Sequence, residues 1–183
     1  MDGLVTKALQ DLVRTRFDDA AWDDVLSGAG LAPLQFLGGQ VYPDEMLFRL
    51  VDAAAQRGGM TRTQVLEALG EHWVDFAIRE GYGRFLTVAG RTFRDVLMNL
   101  NQMHDRIALK FPHVRQPSFW CTDLAADSLV LHYTSTRQGL APMVIGIVRG
   151  LAKMHWTRVE VEHKTRCEDG APHDEFLVRM ENA

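Results

Sequence analysis

The chain has 183 residues, of which 46% are apolar and 24% charged, as expected of one globular domain spanning 1–183 that buries its own core. A net charge of −4 without a basic tract excludes the clustered Lys and Arg of a dedicated nucleic-acid binder. Two cysteines, Cys121 and Cys167, make no disulfide framework; with no secretory leader and no membrane-length apolar run, a soluble cytoplasmic protein is expected.

In chain order, Asp2 can cap a first helix whose apolar side is Leu4, Val5, Ala8, Leu9, Leu12 and Val13. Phe17-Asp18-Asp19 breaks it. A second helix carries Ala21, Trp22, Val25 and Leu26 and stops at Gly28-Ala29-Gly30. Pro43-Asp44-Glu45 opens a third, with acids at the positive end of the dipole. Its face is Met46, Leu47, Leu50, Val51 and Ala54. Thr61 or Thr63 opens the next, carrying Val65, Leu66, Leu69, Trp73, Phe76 and Ala77 and ending at Glu80-Gly81. Residues 82–86 read as a connector. The stretch from Thr92 to Lys110 reads as one amphipathic helix, with Phe93, Val96, Leu97, Leu100, Met103, Ile107 and Ala108 on one face, closed by Phe111-Pro112.

The pattern changes after Pro117. Residues 118–123 and 128–134 read as paired strands, with Leu129, Leu131 and Tyr133 alternating onto one face. Helical spacing returns over Leu140 to Met154. Residues 159–164 and 175–180 read as a second antiparallel pair joined by a polar turn. The fold class is therefore α+β: a helical N-terminal half, then a C-terminal antiparallel sheet with one helix packed on it.

His104 falls on the apolar face of its helix, four residues after Leu100 and three before Ile107. A core-facing imidazole needs either a hydrogen-bond partner or a metal. In Tyr133-Thr-Ser135-Thr-Arg137, strand alternation would set a phenol, a hydroxyl and a guanidinium in a row, which suits a carboxylate. Taken alone, the triplet also fits an ordinary sheet edge. One imidazole and a separate carboxylate clamp together are what a non-covalently held haem requires. Cys-x-x-Cys-His, the signature of covalent haem attachment, is absent.

These residues resemble the haem–nitric oxide/oxygen-binding (H-NOX) family, which includes the haem domain of soluble guanylate cyclase and stand-alone bacterial sensors. The resemblance runs over nearly the whole chain. It rests on the opening Met-x-Gly-x-Val, on Leu-x-x-x-His104-Asp, on Pro117-Ser-Phe-Trp-Cys121-Thr-Asp and on Leu131-His-Tyr133-Thr-Ser135-Thr-Arg137-Gln-Gly-Leu140. It implies haem b between the helical half and the sheet half. His104 would be the iron ligand, Tyr133, Ser135 and Arg137 the propionate clamp, and Pro117 a residue pressed against the porphyrin. Leu4, Val5, Trp73, Ala77, Met143 and Ile147 would line the distal side. Met143 stands where oxygen-binding members place a tyrosine, and without that hydroxyl the pocket is expected to favour nitric oxide, or carbon monoxide, over oxygen. Trp73 is the one donor expected there, with its N–H paired elsewhere in the core.

The expected function is a sensor and not an enzyme. Nitric oxide would weaken or break the bond to His104, and the signal would pass in trans to a sensor histidine kinase or a cyclic-di-GMP enzyme. An oxygen-binding protein or haem carrier is the alternative. Among the remaining residues, Cys121 reads as a buried thiol and Asp105 as a solvated neighbour of His104. His163, Cys167 and His173 form an incomplete zinc pattern. His72, His113, His132 and His155 read as surface or edge residues.

Overall fold

Helix starts follow the side chains able to cap them. In a computed structural model describing residues 1–110, 112 and 115–181, the Asp2 carboxylate accepts the Leu4 N–H at 2.7 Å and opens α1 (Gly3–Arg16). Asp18 does the same for α2 (Asp19–Gly28) through the Ala21 N–H at 2.7 Å. Pro43 precedes α3 (Asp44–Gly58), which stops at Gly59 in the left-handed region, φ 62°. At the head of α4 (Arg62–Ala77), Thr61 Oγ1 accepts the Gln64 N–H and Gln64 Oε1 accepts the Thr61 N–H, a capping box.

Beyond α4 the chain departs in part from the sequence expectation. The helical run does break at Gly81, as expected, where φ 90° puts a kink inside Ile78–Tyr82. The stretch read as a connector is α5 (Gly83–Ala89). The expected single helix from Thr92 is two, α6 (Phe93–Met98) and α7 (Leu100–Lys110), broken at Asn99. Asn99 leaves helical geometry (φ −107°, ψ 9°), and its side-chain amide donates to the Ala89 carbonyl at 2.8 Å. A short polar side chain has taken a tertiary partner at the helix's expense. The Phe111 part of the expected stop, like His113, lies outside the described residues.

The second half matches the expectation. β1 (Ser118–Thr122), β2 (Ser128–Thr134), β3 (Arg158–Thr165) and β4 (Asp174–Glu181) form one antiparallel sheet in the order β1-β2-β4-β3. Between β2 and β3 runs α8 (Ala141–Met154). Its Val144, Val148 and Leu151 pack with Leu129, Leu131, Phe176 and Val178 of the sheet in one apolar core. A second core, around Leu9, Trp22, Leu47, Leu50 and Leu69, holds α1 to α4 together. Each fully buried side chain of this kind contributes about 1.5–3 kcal/mol. The α+β architecture is thus a helical unit and a sheet unit with separate cores.

α4 and α8 join the two units, backbone against backbone. A methyl group on Gly70 would overlap the Met143 carbonyl oxygen, and one on Gly146 the Glu67 carbonyl oxygen. This approach fixes where Trp73 and Ala77 face Met143 and Ile147. Among the described residues no helix is long and apolar enough to cross a membrane.

Candidate functional site

Between the two cores lies a cavity of about 220 Å³, against the roughly 10–15 Å³ that one water needs. All of the residues singled out from sequence line it. α1 supplies Leu4 and Val5, α4 Trp73 and Ala77, α7 His104, and α8 Met143 and Ile147. Pro117, Tyr133, Ser135 and Arg137 complete that set.

His104 reaches the cavity from α7, with its ring stacked on Phe119 of β1 (5.4 Å between centroids, 29° between planes). Phe119 in turn lies 5.2 Å from the Tyr133 ring, so an aromatic row runs from α7 into the sheet. The Phe119 N–H donates to Asn101 Oδ1 at 3.2 Å, a second tie between β1 and α7. Burial pushes the His104 imidazole down to a pKa of about 4, against a smaller upward pull from Asp105. The ring is therefore neutral at pH 7, the form that binds metals. Its Nδ1 is buried and finds no hydrogen-bond partner among the described residues. Asp105 itself is exposed and bonds only weakly to Asn101, at 3.4 Å, as a solvated neighbour should.

The Tyr133, Ser135 and Arg137 side chains do converge, but not by strand alternation. β2 ends at Thr134 and the chain bends. Ser135 Oγ accepts the Arg137 backbone N–H at 3.1 Å, and the Tyr133 phenol, its pKa raised by burial, lines the same cavity. Arg137 Nε donates to Asp44 Oδ1 at 3.1 Å, and Nη1 to the Arg115 carbonyl at 2.8 Å. Although burial opposes it, hydrogen bonds from the Met1 amine and Arg137 hold the Asp44 carboxyl below its ordinary range. A largely buried cation is thus braced at the cavity wall, a fit for an anionic substituent on an otherwise apolar ligand. The donor set suits haem: one neutral imidazole, one cation, two hydroxyls and an apolar slot.

Sequence reasoning missed Tyr82, Phe85 and Leu86, which also line the cavity. They sit just after the kink at Gly81, within the segment read as a connector. Burial raises the Tyr82 phenol pKa. Nor is the Trp73 indole N–H paired elsewhere: it has no partner among the described residues. The cavity is therefore less uniformly apolar than its sequence suggested.

Other expectations need correction. His72 bonds Asp11 at 2.7 Å and is no free surface residue. His132 is buried, within 3.0 Å of His173. His155 keeps a buried Nε2 without a partner among the described residues. The zinc pattern does not assemble as spaced, because His163 pairs with Asp174 at 2.8 Å and Cys167 is exposed. Cys121 is half-buried, and burial still pushes its thiol pKa up to about 11.

A neutral histidine, a braced cation and an apolar slot between two cores fit a flat, metal-bearing, anionic ligand. Comparison with known proteins names the class. Residues 2–163 match the family model described as Haem-NO-binding. The chain belongs to this haem-NO-binding (H-NOX) family, the haem-based gas-sensor family of soluble guanylate cyclase. An H-NOX protein from S. oneidensis, solved in an Fe(II)NO ligation state, superposes with a TM-score of 0.88 at 21% identity, over 100% of both chains. An oxygen-binding H-NOX domain related to soluble guanylate cyclases, solved as its oxygen complex, gives 0.81 at 17% identity, over 100% of this chain and 96% of that one. Soluble guanylate cyclase gcy-33 of Caenorhabditis elegans is 28% identical over 85% of this chain, which spans only 16% of that cyclase.

Proposed function

We propose that residues 1–183 form one cytoplasmic haem-binding domain that senses nitric oxide and is not itself an enzyme. The observation that carries this reading is His104: a neutral imidazole facing an apolar cavity whose opposite need, a cation for carboxylates, is met by Arg137. Ferrous haem b, held non-covalently, supplies the iron at which nitric oxide or carbon monoxide binds. His104 holds that iron through Nε2. Tyr133, Ser135 and Arg137 hold the propionates, and Pro117 bears on the ring. Leu4, Val5, Trp73, Ala77, Met143 and Ile147 shape the gas pocket.

A metal-bound histidine usually donates its other ring N–H to a partner that raises its basicity. His104 Nδ1 lacks one among the described residues, which favours a bond that His104 gives up readily. Once released, His104 frees α7 from its constraint, and the shift reaches β1 through Phe119 and Asn101. A ligand can move this equilibrium only by binding the two states differently; a gas-bound state that His104 no longer holds would supply that difference. The signal then passes to a separate sensor histidine kinase or cyclic-di-GMP enzyme.

Oxygen binding is the second reading, and Trp73 favours it. It lines the cavity, and an indole N–H turned to the ligand would stabilise bound dioxygen. One experiment separates the readings: absorption spectra of the ferrous haem-loaded protein in air and under nitric oxide. The sensor reading expects no stable oxygen complex, and a five-coordinate nitrosyl spectrum once His104 is released. A stable oxygenated spectrum in air would transfer the assignment to the alternative.

A further inference from the structure

The outer face of the sheet, turned away from the haem cavity, carries a second constellation of metal-binding side chains. In the strand register Trp120, His132 and Glu175 stand side by side across β1, β2 and β4, and His173 lies two residues before Glu175. His132 Nδ1 and His173 Nε2 are 3.0 Å apart. Glu175 Oε1 lies 3.6 Å from the first and 3.3 Å from the second. A tetrahedral ion with bonds of roughly 2.0–2.1 Å separates its ligand atoms by about 3.3–3.4 Å. The three observed edges bracket that value, so the three atoms already lie near one face of a coordination tetrahedron.

The atoms pointing away from the cluster are also engaged. His132 Nε2 sits 2.7 Å from Thr122 Oγ1; if it donates there, the Nδ1 lone pair faces the cluster. Thr165 Oγ1 donates to Glu175 Oε2 at 2.7 Å, leaving Oε1 to face the histidines. Partners of this kind orient metal ligands in established sites. The Trp120 ring stacks on His132 at 4.9 Å and 3° and covers it from one side.

From this juxtaposition we propose that His132, His173 and Glu175 bind a divalent transition-metal ion of zinc's type, with water in the open fourth position. The site is independent of the haem cavity and of the His163–Asp174 pair. The ion would clamp β2, β4 and the turn before β4 from their solvent side.

The test uses the haem-loaded, tag-free chain stripped by a chelator and titrated with Co²⁺, with Zn²⁺ as competitor. One equivalent should bind, with visible d–d absorption that zinc abolishes and with quenching of tryptophan fluorescence through Trp120. His173→Ala and Glu175→Gln, both partly exposed positions, should each weaken binding by at least about a hundredfold. Thr122→Val should weaken it by about ten- to hundredfold, as loss of an orienting partner does. The Soret band should be the same in parent and variants, showing that they still fold around haem. The proposal is overturned if no cobalt binds at millimolar concentration, if His173→Ala and Glu175→Gln bind as the parent does, or if Cys167→Ser removes the site.

Discussion

Burial holds the His104 imidazole at a pKa of about 4, below the roughly 6.5 of an unfolded histidine. In the haem-free protein the unfolded chain therefore takes up this proton first as the pH falls. The folded state keeps its full stability above about pH 6.5, loses it down to about pH 4, and loses no more from this group below that. The loss by pH 4.5 should be about 2–3 kcal/mol. His104→Leu should escape it, so urea unfolding of the two apoproteins at pH 7 and pH 4.5 reads it as a change in their difference. A difference independent of pH would refute the assignment. In the holoprotein, His104→Gly should abolish axial ligation until imidazole is added. Arg137 belongs to the same scale. Its charge-assisted hydrogen bonds are worth about 1.5–3 kcal/mol each, so Arg137→Ala should speed haem transfer to a scavenging apoprotein by about ten- to a hundredfold. Unchanged retention would count against the clamp. These residues were legible because their spacing carries a chemical pattern. Tyr82 was not, since its place in the cavity depends on where α5 packs after the kink at Gly81, which local sequence does not announce.

At the scale of elements, the caps at Asp2, Asp18 and Thr61 could be read directly, because capping is a local reaction between a side chain and the next turn. The strand pairs could be read from alternation and turn residues. The break at Asn99 could not: the apolar period runs through it unbroken, and the partner that captures its amide, the Ala89 carbonyl, is supplied by another helix. The bend at Ser135 escaped for the same reason, as it is set by Arg137 reaching Asp44 on α3. The α4–α8 crossing is a further tertiary fact hidden in ordinary-looking glycines. Gly146→Ala would force the Glu67 backbone away. Overpacking of this sort destabilises by about 1–3 kcal/mol or more, and here it also moves Met143 and Ile147 relative to Trp73. Chemical denaturation should show the loss, and the Soret maximum of the ferrous protein should shift. An unperturbed Soret band with parental stability would mean that the α4–α8 crossing accommodates the added methyl and does not set the cavity's shape.

The whole molecule is two cores that meet around a cavity. The helical core and the sheet core are each closed by their own buried side chains, and the α4–α8 contact bridges them. The walls between are apolar surfaces facing space, with a neutral histidine and a braced arginine among them. A ligand that fills that space binds the folded state alone and stabilises it by mass action, by about 4 kcal/mol at a thousand times its dissociation constant. For a chain of this size that corresponds to about 8–16 °C in Tm. Haem removal should therefore lower Tm by an amount in that range. The loss should not be uniform. Amides in α7 and at the start of α1, whose side chains face the cavity, should exchange much faster with solvent. Those around Leu9, Leu47, Leu50 and Leu69, in the interior of the helical core, should keep most of their protection. The same inequality is what a sensor needs, because the element that His104 anchors must be able to move while the framework holds still. Equal loss of protection across both cores on haem removal would show that the cavity is part of one cooperative unit, and would leave α7 no independent freedom with which to report the gas.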